Sequence, residues 1–325
     1  NIDHITFITE DSGKNIWIGT WKNGLTQYDP LSKTITRYGH LEDKAKTLNG
    51  GGTWCAYATP DGFIWLVSQE SGLYKIDINN PIIPHVDMDA VFSFKEQGDS
   101  IGWYGTVTGL VRKDFRTGAT RRFVHDPANP KSISDSWVTR IRKDKAGDFW
   151  IGTENGLNHF NLETETFTRY YHNPGDNEDN RVYALYEDSD STLWVGSLSQ
   201  GLDLLNWKTG KYTNYKHDPA DINSISYNSI GELQKGKANE LWITTYGGGV
   251  NKLDRSTGKF RQYLPGLRIF SIYQDASGMI WVGSQTGLHR YDKPSDSFDL
   301  IFNEDNQNIF GGVEALTNDH ENNLW

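Results

Sequence analysis

The chain has 325 residues, 36% hydrophobic and 13% aromatic, with a formal net charge of −10 and one cysteine, Cys55. The length suits one large domain or two ordinary ones. The acidic balance excludes nonspecific binding to nucleic acid or anionic membrane, the lone thiol excludes an internal disulfide framework, and no apolar run approaches the roughly 18 residues of a membrane helix.

"NIWIGTWKNGLTQYDP" (Asn15 to Pro30) returns as "FWIGTENGLNHFNL", "LWVGSLSQGLDLLNW" and "IWVGSQTGLHRYDK". In chain order the repeated tryptophans are Trp17, Trp65, Trp103, Trp150, Trp194, Trp242, Trp281 and Trp325, a mean of 44 residues apart. A hydroxyl follows each of the first seven by three residues: Thr20, Ser68, Thr106, Thr153, Ser197, Thr245 and Ser284. A glycine lies six or seven residues after each, and Asp or Asn five further on, from Gly24 and Asp29 to Gly287 and Asp292. The unit is a repeat of about 44 residues.

Seven copies are complete, at 2–38, 53–86, 90–124, 137–171, 181–216, 228–263 and 268–302. Copies two and three depart most from the pattern, and the proline of "IIPHV" suits only an edge strand. Copy five reads as strand "RVYALYED", turn, strand "LWVGS", loop, strand "LDLLNW", turn and strand "KYTNYK". Alternating apolar residues and frequent Asp, Asn, Ser and Gly turns leave no helical period. In the first strands, apolar residues 12 and 9 before the tryptophan (Val138 and Ile141, Ile230 and Leu233) are an odd distance apart. They are expected on opposite faces, burying the strand on both sides.

The expected fold is all-β, a β-propeller of four-stranded antiparallel blades, most simply seven-bladed. Residues 1–303 form the propeller and 304–325 begin a further repeat, the fragment of a second propeller or a seam segment. The tryptophan and its flanking isoleucines should fill the gaps between blades, and the intervening glycine should admit a neighbour. The chain opens in repeat-like sequence and stops at Trp325 within the phrase, so it reads as a fragment of something longer.

"EDSGKNIWIGTWKNGLTQYD", with the connections "HDPANPKSISDSWV" (His125 to Val138) and "HDPADINSISYNSI" (His217 to Ile230), resembles the two-component regulator propeller repeat over essentially the whole chain. That resemblance implies the periplasmic sensor region of a hybrid two-component histidine kinase of Bacteroidetes type. In such proteins two seven-bladed propellers and a further β-domain precede a membrane helix, a kinase and a response regulator, and the sensor detects polysaccharide breakdown products. The implied partners are an oligosaccharide or similar small ligand, a second propeller, the downstream domains and a second copy in a parent homodimer. No nucleic acid is implied, and the membrane is met only through other parts of the parent. The resemblance gives this segment no catalytic role.

No zinc or EF-hand spacing is present, so neither metal nor cofactor is expected. Acidic residues such as Asp11, Asp61, Asp144 and Asp188 fall at turn positions. The Asp-x-x-Gly-x-x-Trp stretch from Asp144 is similar to the structural Asp box of sialidase propellers, one residue out of step. Candidate ligand residues come from two groups that vary from copy to copy. The loops between second and third strands offer Trp21, Asn23, Glu154, Asn155, Tyr246 and Gln285, and the position 13 before the tryptophan offers His4, Trp137, Arg181 and Arg268. Aromatic rings beside amides and guanidinium groups suit a sugar. Arg121, Arg122, Arg140, Arg142, Lys143 and Lys145 concentrate positive charge near copies three and four, in the manner of a solvated patch. A propeller enzyme (lyase or hydrolase) and an assembly scaffold are the alternatives. The enzyme requires a cluster of His, Glu, Asp or Tyr that these loops do not visibly supply.

Overall fold

A sheet strand carrying Trp between two isoleucines presents large apolar groups on both faces, so it must be sandwiched. The structure is a computed structural model that describes residues 5–38, 53–58, 62–68, 72–78, 85–86, 91–98, 100–114, 116–172, 180–189, 191–237, 239–302 and 312–325. Each of seven four-stranded antiparallel sheets uses strands in sequence order. Blade 1 runs from Ile5–Glu10 to Thr34–Tyr38, blade 2 from Thr53–Ala58 to His85–Val86, and blade 3 from Val91–Gln97 to Thr120–Phe123. Blade 4 runs from Val138–Lys143 to Thr166–Tyr170, and blade 5 from Ala184–Ser189 to Lys211–Tyr215. Blade 6 runs from Ile230–Lys235 to Lys259–Tyr263, and blade 7 from Ile269–Gln274 to Ser297–Phe302. The fold is all-β and of the propeller class. The chain divides into two compact units, one of residues 1–91 and 270–325, the other of residues 92–269. Among the described residues no helix is long and apolar enough to cross a membrane.

The second-strand tryptophans are wedges. Trp17, Trp103, Trp150, Trp194 and Trp242 are at most 2% exposed. Trp103 packs on Phe123 of its own blade and on Phe149 and Phe160 of blade 4. Trp150 faces the other way, with Val182, Leu193 and Leu205 of the blade 5 segment, while its neighbours Phe149 and Ile151 belong to the cluster shared with blade 3. The expected alternation of faces is observed. The glycine after the wedge admits the next blade: a Cβ on Gly196 would lie 2.5 Å from Ile230 Cγ2 and 2.9 Å from Ala184 Cβ.

The first strands correct the sequence reading. Val138 and Ile141 belong to one cluster, and Ile230 and Leu233 to another, so each pair shares a face. The reason is a register shift between Val138 and Arg140, and another between Ile230 and Leu233. A β-bulge absorbs one residue and turns an odd spacing into an even one. The second face of blade 4's first strand is still covered, because Thr139 is buried and its hydroxyl donates to Val182 O. The strand starts also differ: blade 5 opens at Ala184, with Val182 held before it by an N–H bond to Thr153 O (3.1 Å).

Loop chemistry repeats with the sheets. The hydroxyls of Thr20, Thr106, Thr153, Ser197, Thr245 and Ser284 each donate to the loop glycine's carbonyl, as when Thr153 Oγ1 donates to Gly156 O (2.7 Å) and Thr245 Oγ1 to Gly249 O (3.1 Å). Gly201 and Gly249 have positive φ (82° and 81°) with a backbone oxygen 2.3 Å from where a Cβ would sit, so only glycine fits there. Asp or Asn five residues on closes the next turn, as at Asp254, whose Oδ1 accepts from Ser256 N (2.9 Å). At four wedges the residue six before accepts the indole N–H: Asp11 from Trp17 (2.6 Å), Gln97 from Trp103 (2.9 Å), Asp275 from Trp281 (2.8 Å) and Asp319 from Trp325 (2.9 Å). The Trp194 N–H is buried outside this pattern, and Asp188 pairs with Arg255 instead.

Residues 312–325 repeat the opening hairpin of a blade. Val313 N donates to Ser284 O (2.9 Å), as Ile230 N does to Ser197 O (2.8 Å), and its backbone lies over Gly283. Trp325 lies 5.9 Å from the Tyr28 ring, and His320 meets Glu10 by N–H donation to Oε2 (2.7 Å).

Gly196→Ala is expected to destabilise by about 1–3 kcal/mol, since neither the Ile230 methyl nor Ala184 has room to retreat. An unchanged urea midpoint would contradict the blade-contact role. Burial works to raise the Asp319 carboxyl, yet bonds from Trp325, Asn323 and the Glu321 amide hold it at about 2. A depressed carboxylate stabilises fully above its unfolded value near 3.9, and that contribution disappears as pH falls through the folded value. Asp319→Asn should therefore flatten the acid limb of unfolding between about pH 4 and pH 2, followed by tryptophan fluorescence.

Candidate functional site

Strand period and the bulge together decide which side chains reach the loop end of blades 4 to 6. Glu154 N donates to Trp137 O (3.0 Å), which sets the blade 4 loop beside the residue leading into that blade. Glu154 Oε1 in turn accepts from the Tyr183 hydroxyl. Burial pushes the Tyr183 phenol well above its ordinary value, Glu154 and Tyr246 push it further, and Arg181 opposes them. Tyr246 N donates to Ser229 O (3.0 Å), and Tyr246 pairs with Arg268 in an isolated antiparallel bridge. Phe92 extends the row, its ring 5.9 Å from that of Trp137.

Trp137, Glu154, Arg181, Tyr246 and Arg268 thus lie along one run of contacts within the unit of residues 92–269. Trp137 is 42% and Tyr246 54% exposed, so both rings are open to a ligand. Three further candidates, Trp21, Asn23 and Gln285, belong to the other unit. Trp21 is 44% exposed, Gln285 is exposed, and Asn23 donates its backbone N–H to Thr20 Oγ1 (3.2 Å) as part of the loop closure. Asn155 has the same backbone role toward Thr153 Oγ1 (3.2 Å), and its side-chain oxygen is turned inside. His4 lies outside the described residues.

Tyr183 and Phe92 were not singled out from the sequence. Both sit two residues beyond the position chosen there, since Tyr183 follows Arg181 by two and lies 11 before Trp194, as Phe92 lies 11 before Trp103. A period of two was the available signal.

The basic concentration near blades 3 and 4 is exposed at Arg121, Arg122, Arg140, Lys143 and Lys145, and some of its arginines also tie neighbouring segments together. Arg140 Nε donates to Tyr183 O (2.9 Å), Arg142 Nη1 donates to Leu185 O (2.7 Å) and lies over the Tyr186 ring, and Arg121 pairs with Glu165. Burial lowers the Arg142 guanidinium from its usual range. The turn acids are likewise occupied. Asp144, Asp148 and His159 gather one donor atom each within 4.8 Å. Their hydrogen bonds account for them: Asp144 with His159 Nε2 (2.8 Å) and Gly147 N (2.8 Å), Asp148 with Asn161 Nδ2 (2.9 Å) and Leu162 N (2.9 Å).

Wedge-packed four-stranded blades with variable loop ends define a propeller of repeated units. Residues 132–155, 178–199 and 263–286 match the family model described as two component regulator propeller. Those three segments carry the repeat that this model describes. Among solved structures it is similar to the extracellular domain assigned to the hybrid two component system BT4673 of B. thetaiotaomicron, at 20% identity and a TM-score of 0.54 over 92% of this chain and 43% of that one. A second structure of the BT4673 extracellular domain, there assigned to a one component system, gives 20% identity and a TM-score of 0.57 over 99% and 46%. The computationally designed protein Ika8 gives 14% identity and a TM-score of 0.67 over 98% and 91%. These likenesses establish the fold, and the chain spans less than half the length of the two B. thetaiotaomicron chains. A search of curated proteins finds no match.

Tyr183→Phe removes the donor to Glu154 and should cost about 1 kcal/mol of stability, with an unchanged far-ultraviolet spectrum. A variant as stable as the parent would show that the pair does not hold the row together.

Proposed function

We propose that this chain is an extracytoplasmic, noncatalytic ligand-sensing propeller of a hybrid two-component sensor, and that it responds to an oligosaccharide. The observation that carries the reading is the row from Trp137 to Arg268. Two exposed rings flank two arginines and a carboxylate, all of them on positions that vary between blades while the scaffold positions do not. The apolar face of a pyranose stacks on such rings, and its hydroxyls or a carboxylate take bonds from guanidinium groups. Glu154 is engaged by Tyr183, which suits fixing a binding surface better than supplying a free acid or base for turnover.

In this reading the location is periplasmic. Residues 1–303 form the propeller, and 304–325 begin a further repeat, either the fragment of a second propeller or a segment at the seam. The partners are that second propeller, the downstream domains and a second copy of the parent chain. Wedge-packed blades resist internal deformation, so the signal passes as a change in inter-domain or dimer packing.

The test is thermal unfolding against neutral and acidic oligosaccharides. A ligand at about 100 times its dissociation constant adds roughly 2.7 kcal/mol, a readable rise in midpoint. The rise should vanish in Trp137→Ala and fall strongly in Arg181→Ala, with the sugar recovered intact. Equal affinity in both variants would remove this row from the site, and cleavage of the sugar would favour the enzyme alternative.

A further inference from the structure

Blades 4 and 6 anchor their incoming connections with the same buried amide. Asn158 accepts from Ser134 N (2.8 Å) and donates to Ser134 Oγ (2.8 Å), and Asn251 does the same with Ser226 N and Oγ (2.8 Å each). Both asparagines are fully buried. The amide lies two residues after the loop glycine, and in blade 5 that position is Asp203. Its carboxylate, 5% exposed, lies 2.9 Å from His172 Nδ1 and accepts from Asn214 Nδ2 (2.8 Å). A neutral lock in the sister blades is an ionisable one here.

Among the described residues, the ionisable groups lining the pair come from both blades and the segment that joins them. Tyr170 extends from the fourth strand of blade 4, Tyr212 from the fourth strand of blade 5, and His172 and Arg181 from the segments that join these blades. Together with Asn180, Ser197 and apolar residues they line a narrow cleft. Burial, and then the charge of Asp203, push the Tyr212 phenol upward, and burial does the same to Tyr170. Both phenols are pushed up and so stay neutral between about pH 5 and pH 8, and the side chain whose ordinary range lies there is His172. The His172 and Tyr212 rings meet edge to face, with centroids 5.5 Å apart.

We propose that His172 and Asp203 form a pH-dependent clamp between the blade 4–5 connection and the sheet of blade 5, closed when the imidazole is protonated. A carboxylate buried to this degree needs a cation, and losing it leaves a charge in a poorly solvated place. The clamp therefore weakens as pH rises through the imidazole titration. The inference does not depend on what the loop-end residues bind.

Asp203→Asn installs the amide of the sister blades, and His172→Gln removes the titrating ring. From about pH 5.5 to about pH 8 the parent midpoint should fall by roughly 2–4 °C more than that of Asp203→Asn. The double variant should show no further loss of pH dependence beyond either single one. The His172 ring signal, followed by NMR in the folded protein, should titrate at lower pH in Asp203→Asn than in the parent. Identical pH profiles in parent and Asp203→Asn would overturn the proposal, as would a His172 titration unmoved by the substitution.

Discussion

The packing of one indole into the space between adjacent sheets is the constraint from which the rest of this chain follows. A buried tryptophan brings a large apolar area and one N–H that needs an acceptor. At Gly105, Gly152 and Gly196 the residue two after the tryptophan lets the next blade approach, and at Trp17, Trp103, Trp281 and Trp325 an acid or amide six residues earlier accepts the N–H. The spacing of Asp11, Trp17 and Gly19 recurs as Asp275, Trp281 and Gly283 because each member is answered by the others. The same logic carries through residues 312–325, where Asp319 holds Trp325 and Val313 sits over Gly283.

A scaffold held this way leaves its loop ends free to differ. The closing hydroxyl and the positive-φ glycine mark where the described loops begin and end, which leaves the residues between them room to change in type. Residue type therefore changes at the loop positions, Glu154 in one blade and Tyr246 in another, while the strands beneath keep their pattern. Variation also reaches one buried place. Where two sister blades hold Asn158 and Asn251, blade 5 holds Asp203 and blade 7 holds His289. His289 is buried, and burial lowers its imidazole, which bonds through Nε2 to Ser284 Oγ (2.9 Å). Charge or titratability at a core lock position is costly, so its presence in particular blades marks them as different from their neighbours.

Much of the architecture was legible in the spacing of the residues, because wedge, hydroxyl, glycine and Asx residue each have one physical task at one place. The faces of the first strands were not. Val138 and Ile141 read as an odd pair, and only the bulge, which leaves no side-chain signature of its own, brings them to one face. The loop-end residues were half legible. Trp137 and Arg181 stood out by type, but Tyr183 was hidden because a tyrosine in a strand is ordinarily a packing residue. The basic residues near blades 3 and 4 were legible as surface, and what the sequence did not show is that Arg140 and Arg142 also reach backbone carbonyls of the next segment. His172 and Asp203 are 31 positions apart, and nothing local in the sequence joins them.

The central claim is that the loop ends of blades 4 to 6 form a sugar-binding surface on a rigid scaffold. Hydrogen exchange of the chain with and without a bound oligosaccharide tests it most directly, because it reports place as well as affinity. The account predicts added protection confined to the segments around Trp137, Glu154, Arg181 to Tyr183 and Tyr246 to Arg268, with the blade interiors unchanged. Protection confined to the loops of blades 1, 2 and 7, or spread evenly through the strands, would contradict it.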